Sequence, residues 1–238
     1  MRFTLNCSKT LARVLKRTSG LSLERLVEPD TARIGTQSIF SEPESLSWQC
    51  QYVSTSYQSD SGYVIAVEAH SRYAIVLPFL FPPSCEEIDQ ALKRRWAEEV
   101  RLWHAIVNDS VETIAKDDSI ERALQVGEVD WVLNTDMSVN GHVADTGQWA
   151  RQEIDDHRGR PMTECRAMEL GVYLNNSPRK ASASRRQSDY FIPIERLLML
   201  LSDEAFQINQ EPQRSAPREV PDNVVSLEAF KQRRGASI

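Results

Sequence analysis

The side chains best placed to do chemistry fall within one short stretch: Asn134, Asp136, Ser138, Asn140, His142 and Asp145. They follow the apolar run Val129 to Leu133, and an amphipathic pattern starts at Val139. A strand-to-helix junction is predicted here, and a helix start leaves backbone N–H groups free to hold polar partners. His142 and Asp145 are three positions apart and share one helical face. Such a pair can act as base and orienter, which makes Asp136, His142 and Asp145 the candidate catalytic set. Asn134, Ser138 and Asn140 are candidate binding groups beside it. A competing account needs no chemistry, because Asp136 or Ser138 can cap the helix. The chain has no HExxH, CxxC or Gly-rich phosphate loop, and the His–Asp pair lacks the third ligand of a metal site. Neither a metal nor a cofactor is expected.

A second candidate is the segment Ser177 to Arg186, whose cations Arg179, Lys180, Arg185 and Arg186 stand with no acid among them. It reads as a solvated loop or as a grip for phosphate oxygens. No aromatic residue is interleaved, so stacking on single-stranded nucleic acid is not supported. The formal net charge of −6 argues against bulk nucleic-acid binding. A protein partner is expected first, with nucleic acid through this basic loop as the other option.

The elements that must position these groups follow from periodicity. Arg2 to Asn6 predicts a strand, and Ser8 caps a helix to about Thr18 that Gly20 stops. Leu46, Trp48, Cys50 and Tyr52 alternate with polar residues such as Gln49 and Gln51, as in a half-buried strand. Tyr63 to Ala69 and Arg72 to Leu77 predict a hairpin turning at His70-Ser71. Its near-continuous apolarity suggests burial on both faces and a place at the centre of the sheet. Ser84-Cys-Glu-Glu87 is a capping box that opens a helix to about Val107. Its stripe is Ile88, Leu92, Trp96, Val100, Trp103 and Val107, with the tryptophans read as core packing. Val111 and Ile114 suit a short helix. From about Ser138 to Ile154 a helix buries Val139, Val143, Trp149 or Ala150, and Ile154, with His157 near its end. Gly141 and Gly147 within it suggest close backbone packing or a bend. Met162 to Leu174 and Ile194 to Leu201 predict two further helices, the second opened by Pro193.

The expected class is α+β, with a small, mainly antiparallel sheet of four or five strands and helices packed on one face. Residues 1–156 form the core domain, 157–203 a helical extension, and 204–238 a disordered tail rich in Gln, Pro, Ser and charge. Val224 to Phe230 within that tail is a short amphipathic segment of the kind used for docking. The length of 238 residues suits one domain with an appendage. Cys7, Cys50, Cys85 and Cys165 are scattered, which suggests reduced, buried thiols and no disulfide framework. No apolar run reaches the roughly 20 residues of a bilayer span. The start Met-Arg-Phe-Thr-Leu-Asn lacks the apolar region of a secretory signal, so a cytoplasmic location is expected.

The order of these elements, with Val-x-x-x-His-Ser-x-Tyr-Ala-Ile-Val-Leu in the hairpin, resembles an uncharacterised bacterial domain family. In that family the junction reads approximately Asn-x-Arg-Ser-Val-x-Gly-x-x-Asn-Asp. Asn134, Asp136, Ser138, Val139 and Gly141 carry the likeness here, which covers about residues 1–156. Leu174-Asn-Asn-Ser-Pro-Arg179 and Tyr190-Phe-Ile-Pro193 look like a frequent extension of it. Met137 replaces the more usual basic residue, and Ala144-Asp145 replaces the Asn-Asp pair. The family carries no established activity. The resemblance implies a bacterial setting of chromosomes, plasmids and mobile elements. A non-enzymatic binding or accessory protein, tied to a mobile element or stress system, is the leading expectation. A hydrolase or nuclease-like enzyme using residues 134–145 is the alternative.

Overall fold

Alternation of Phe3, Leu5 and Cys7 with polar neighbours makes Arg2–Cys7 a strand, β1, whose three apolar side chains enter one core. The computed structural model describes residues 1–23, 37–55, 61–108, 123–180 and 190–201. Ser8 accepts a hydrogen bond from the Leu11 N–H and caps α1, Lys9–Ser19. Gly20 ends α1 at φ 68°, a left-handed conformation that a side chain would penalise. The capping box also forms as the sequence predicts. Ser84 N donates to Glu87 Oε2 at 2.7 Å and Glu87 N to Ser84 Oγ at 3.2 Å, opening α2, Cys85–Asn108.

The remaining elements are β2 (Ser45–Ser54), β3 (Gly62–Glu68), β4 (Ala74–Phe79), β5 (Val129–Leu133), α3 (Met137–Asp156), α4 (Glu164–Asn176), β6 (Arg179–Lys180), β7 (Tyr190–Phe191) and α5 (Pro193–Leu201). The α+β class is as expected. The five-stranded sheet is mixed, however, in the order β4-β3-β2-β1-β5. β1 runs parallel to both β2 and β5, whereas β2–β3 and β3–β4 are antiparallel. The hairpin is therefore at one side of the sheet and not at its centre, with β4 as an edge strand.

Helices cover both faces of this sheet, not one. On one face α1, α2 and α5 pack over Phe3, Leu5, Leu46, Trp48, Ala66 and Ile75. On the other, α3 and α4 pack over Tyr63, Ile65, Val67 and Val76. The reason lies in the strands themselves. β3 is apolar almost throughout, and a sheet of such strands leaves a large apolar face in water unless both sides are covered. Phe3, Trp48 and Trp96 meet pairwise at 5.6–5.7 Å between ring centroids, so the tryptophan of α2 is core, as predicted. Trp96 donates its N–H to Ala123 O at 2.8 Å. Cys7 and Cys50 are register partners and are buried as free thiols, Cys85 is half-buried, and Cys165 is exposed.

The edge of β4 is closed by a side chain. Asn175 of α4 accepts from Ala74 N at 2.8 Å and donates to Ala74 O at 2.9 Å, standing in for a further strand. Helices α4 and α5, within the stretch expected as an extension, bring Ala167, Leu170 and Leu174 to one core and Ile194, Leu197 and Leu201 to the other. All described residues belong to one unit, Met1–Ala205. The tail at 204–238, its segment Val224 to Phe230, and the short helix suggested at Val111 and Ile114 lie outside the described residues.

Between α2 and α4 is a buried charged network. Tyr73 donates its hydroxyl proton to Glu99 and accepts from Trp103 Nε1 at 2.6 Å. Arg95 is 4.0 Å from Glu99 and pairs with Glu164. Burial pushes the Glu99 carboxyl up to about 7, against the pull of Tyr73 and Arg95. Burial likewise raises the Tyr73 phenol, and the Glu99 charge adds to that.

Candidate functional site

The register of the sheet assembles the inner side of the junction. Asn6 and Gln49 are partners on β1 and β2, and β5 ends beside them at Leu133, opposite Cys7. Asn134, 1% exposed, donates to Asn6 Oδ1 at 3.2 Å and to Gln37 O at 3.3 Å, and accepts from Gln37 N at 2.9 Å. Asp136 is the N-cap of α3 and accepts from Ser138 N at 2.7 Å. Its other carboxylate oxygen accepts from Ile39 N at 2.9 Å. Gln49 accepts from Asp136 N at 2.7 Å and donates to Asn140 Oδ1 at 3.3 Å. Burial alone would raise the Asp136 carboxyl. The N–H groups of Ile39 and Ser138, together with the Arg72 charge, outweigh it and hold the group below its ordinary value.

Gln49 corrects the half-buried reading of β2. Its side chain faces away from the tryptophan core but is 1% exposed, because α3 covers that face too. Asn6 and Gln49 were invisible as site residues in the sequence. The available signal was an amide placed among apolar strand residues, which becomes meaningful only when a second element covers it.

The outer side of α3 is built differently. Arg72, in the β3–β4 connection, donates from Nη2 to Ser138 Oγ at 3.1 Å. That connection is held by Glu68, fully buried, whose carboxylate accepts from His70 N at 3.0 Å and Ser71 N at 2.6 Å. Arg72 adopts φ 63°, a conformation uncommon for a side chain of its size. One turn along α3, the His142 ring lies 6.2 Å from the Phe191 ring. The Arg196 guanidinium of α5 stacks on Phe191, 4.1 Å from its centroid. Arg179 is the register partner of Phe191 and reaches Asp145 at 3.8 Å, with Asp145 itself 62% exposed.

Burial, then the charges of Arg72 and Arg179, push His142 down to about 4 against the opposing Asp145; Arg196 adds to the effect. The imidazole is therefore neutral at pH 7. Its Nδ1 and the Nη1 of Arg72 are buried and have no hydrogen-bond partner among the described residues. Arg72, Arg179 and Arg196 are all lowered by burial, so their charges are partly dehydrated.

The three catalytic candidates do not meet at one point. Asp136 turns in to Ile39 and Ser138, whereas Asp145 and His142 both face the β6–β7 pair, at Arg179 and Phe191. Among the binding candidates, Asn134 and Asn140 serve the inner network, and Ser138 serves both sides. Arg179 and Lys180 are not in a loop but in β6, paired with Tyr190 and Phe191. Alternation along a strand sends Lys180 to the face opposite Arg179. Arg185 and Arg186 lie outside the described residues. Arg72, Phe191 and Arg196 were missed by sequence reasoning, since each is isolated among unlike neighbours.

Among the described residues, no three His, Cys, Asp or Glu side chains are grouped as metal ligands would be. No helix among them is long and apolar enough to cross a membrane. No family model, curated protein or solved structure matches this chain.

Proposed function

We propose that this chain is a non-enzymatic binding or accessory protein whose partner carries negative charge, engaged on the outer side of α3. One observation carries the reading. The carboxylate that marks the junction, Asp136, spends both oxygens on backbone N–H groups, while cations from separate elements gather one turn away. A hydrolase would need Asp136, His142 and Asp145 directed at one point, and Ile39 and Ser138 draw Asp136 away from the other two. The proposal includes membership of the uncharacterised bacterial family that residues 1–156 resemble, with its mobile-element or stress-system setting. The support for that part is the junction motif and the order of elements.

The test is a turnover panel of chromogenic phosphomonoester, phosphodiester, carboxylic ester and peptide substrates, with and without divalent cations. No turnover above background is expected. Turnover that disappears in His142→Ala or Asp145→Asn would establish the enzyme alternative instead. In parallel, tagged protein is purified from its host with and without nuclease. A partner retained by wild-type protein should be lost when Arg179, Lys180, Arg185 and Arg186 are all replaced by Ser.

A further inference from the structure

We propose that Arg72, Arg179 and Arg196, with His142 and Phe191, form a site for a phosphate-type dianion: inorganic phosphate or the terminal group of a phosphate monoester. The inference rests on the binding reading above and names its ligand.

The three arginines line one face of α3 on either side of His142, over about 10 Å of helix. Arg72 reaches the first turn of α3 through Ser138, Arg179 reaches the third through Asp145, and Arg196 covers Phe191, which faces His142 between them. The guanidinium groups come from the β3–β4 connection, from β6 and from α5, so no single element accounts for the cluster. Their compensation is through space and not by contact. Asp136 and Glu68 favour the Arg72 charge, and Glu68 that of Arg196. Among the described residues, however, neither arginine has a carboxylate within ion-pair distance, and Arg179 has only a long pair to an exposed one. The oxygens of those acids are taken by neutral groups, Glu68 by the N–H groups of His70 and Ser71 and Asp136 by those of Ile39 and Ser138.

Partly dehydrated like charges repel, and a buried donor such as Arg72 Nη1, without a partner among the described residues, loses its water without replacement. Burial first, and then the cations that outweigh Asp145, keep the His142 ring neutral. An entering dianion would relieve both defects at once. Arginine forks match phosphate oxygens in pairs, and a dianion would give Arg72 and Arg196 the direct contacts that Glu68 and Asp136 do not make. The three cations surround one imidazole and do not form a basic stripe of the kind that follows a nucleic-acid backbone. The terminal group is therefore the favoured ligand, rather than an internal diester.

The experiment titrates the full chain with inorganic phosphate at pH 7, with sodium chloride adjusted to hold ionic strength constant. The ring signals of His142 are followed by nuclear magnetic resonance. A saturable shift is expected, together with an upward move of the His142 titration, because an anion near the ring favours the imidazolium. Arg72→Gln and Arg196→Gln should each weaken binding by about tenfold or more, as expected for a lost charged contact. Arg196→Lys keeps the charge, loses the fork and should lie between. Lys9→Gln, on α1, should bind as wild type does. A variant with an altered near-UV spectrum is set aside, and Arg196→Lys, the mildest change, then decides the matter.

A second arm compares a short oligonucleotide with and without a 5′-phosphate, and only the phosphorylated one should compete. An absent response to phosphate, or one unchanged by all the arginine substitutions, overturns the site. So does equal binding of the two oligonucleotides. Failure here leaves the binding reading to its own turnover panel, which does not depend on phosphate being the ligand.

Discussion

The inner and outer sides of α3 have opposite hydrogen-bond balances. Inside, Asn134, Asp136, Gln49, Asn140 and Asn6 satisfy one another and the backbone of Gln37, Ile39 and Ser138. Outside, Arg72 and His142 keep buried nitrogens without partners among the described residues, and arginines stand near one another with few acids in contact. A satisfied network confers stability and a fixed geometry. A cluster left unbalanced costs stability and is better explained by something it binds. Dense polar sequence thus marks the structural half of this region, and sparse, scattered cations mark the half suited to a ligand.

The inner network depends most on Asp136. Asp136→Ala removes the cap, about 1 kcal/mol, and leaves the Ile39 N–H without its acceptor, about 1–3 kcal/mol more. A total loss of about 2–4 kcal/mol is expected in denaturant unfolding. A loss below about 0.5 kcal/mol, the ordinary range for a surface change, would mean that the inner network is not structural.

The pH dependence of stability separates a third region, the network between α2 and α4. Glu99 is raised from an ordinary 4.5 to about 7, mainly by burial. Between those values the folded state holds a proton that the unfolded chain releases, so this group favours folding below about 4.5 and loses that contribution as pH rises to about 7. The difference corresponds to a contribution on the order of 3 kcal/mol. Glu99→Gln should abolish this fall, seen as the difference between wild-type and variant stability at pH 5 and pH 8. A difference that does not change with pH would show that Glu99 is not held protonated.

His142 works in the opposite direction over much of the same range. Its folded value, about 4, lies below the ordinary 6.5. Stability from the neutral ring is therefore present above 6.5 and lost as pH falls toward 4. His142→Leu should remove that acid-side loss, and parallel wild-type and variant profiles from pH 4 to 7 would contradict it.

The smallest effect is expected on the outer face itself. Arg196→Gln should change stability by no more than about 0.5 kcal/mol, since relieved repulsion offsets the lost stack on Phe191. The same change should move the His142 titration upward, read by magnetic resonance. A large loss of stability here, comparable to that of Asp136→Ala, would erase the contrast between the two sides.

Local features were legible in the residues. The Ser8 cap, the Gly20 stop, the Ser84–Glu87 box and the stripe Val139, Val143, Ala150 and Ile154 all form as their spacing predicts. The choice between Trp149 and Ala150 went to Ala150, and Trp149 packs on Tyr173 at 5.3 Å instead. Gly147 allows the close approach anticipated for it, since a Cβ there would sit 3.2 Å from Ile65 Cδ1. Gly141 would meet nothing within 4 Å.

These features depend on residues a few positions apart, where backbone geometry alone sets which side chains meet. What the chain did not disclose by itself was the strand order, the second helical layer and the arginine cluster. β1 enters between β2 and β5, which moves the hairpin to the side and brings Asn6 and Gln49 under α3. Covering both apolar faces puts α5 on one and α3 on the other, with Phe191 of β7 meeting a side chain from each, and only there do Arg72, Arg179 and Arg196 become neighbours of one imidazole. Caps and stripes are determined by short-range sterics and hydrogen bonding, whereas convergence of distant cations is decided by which surfaces the whole chain must bury.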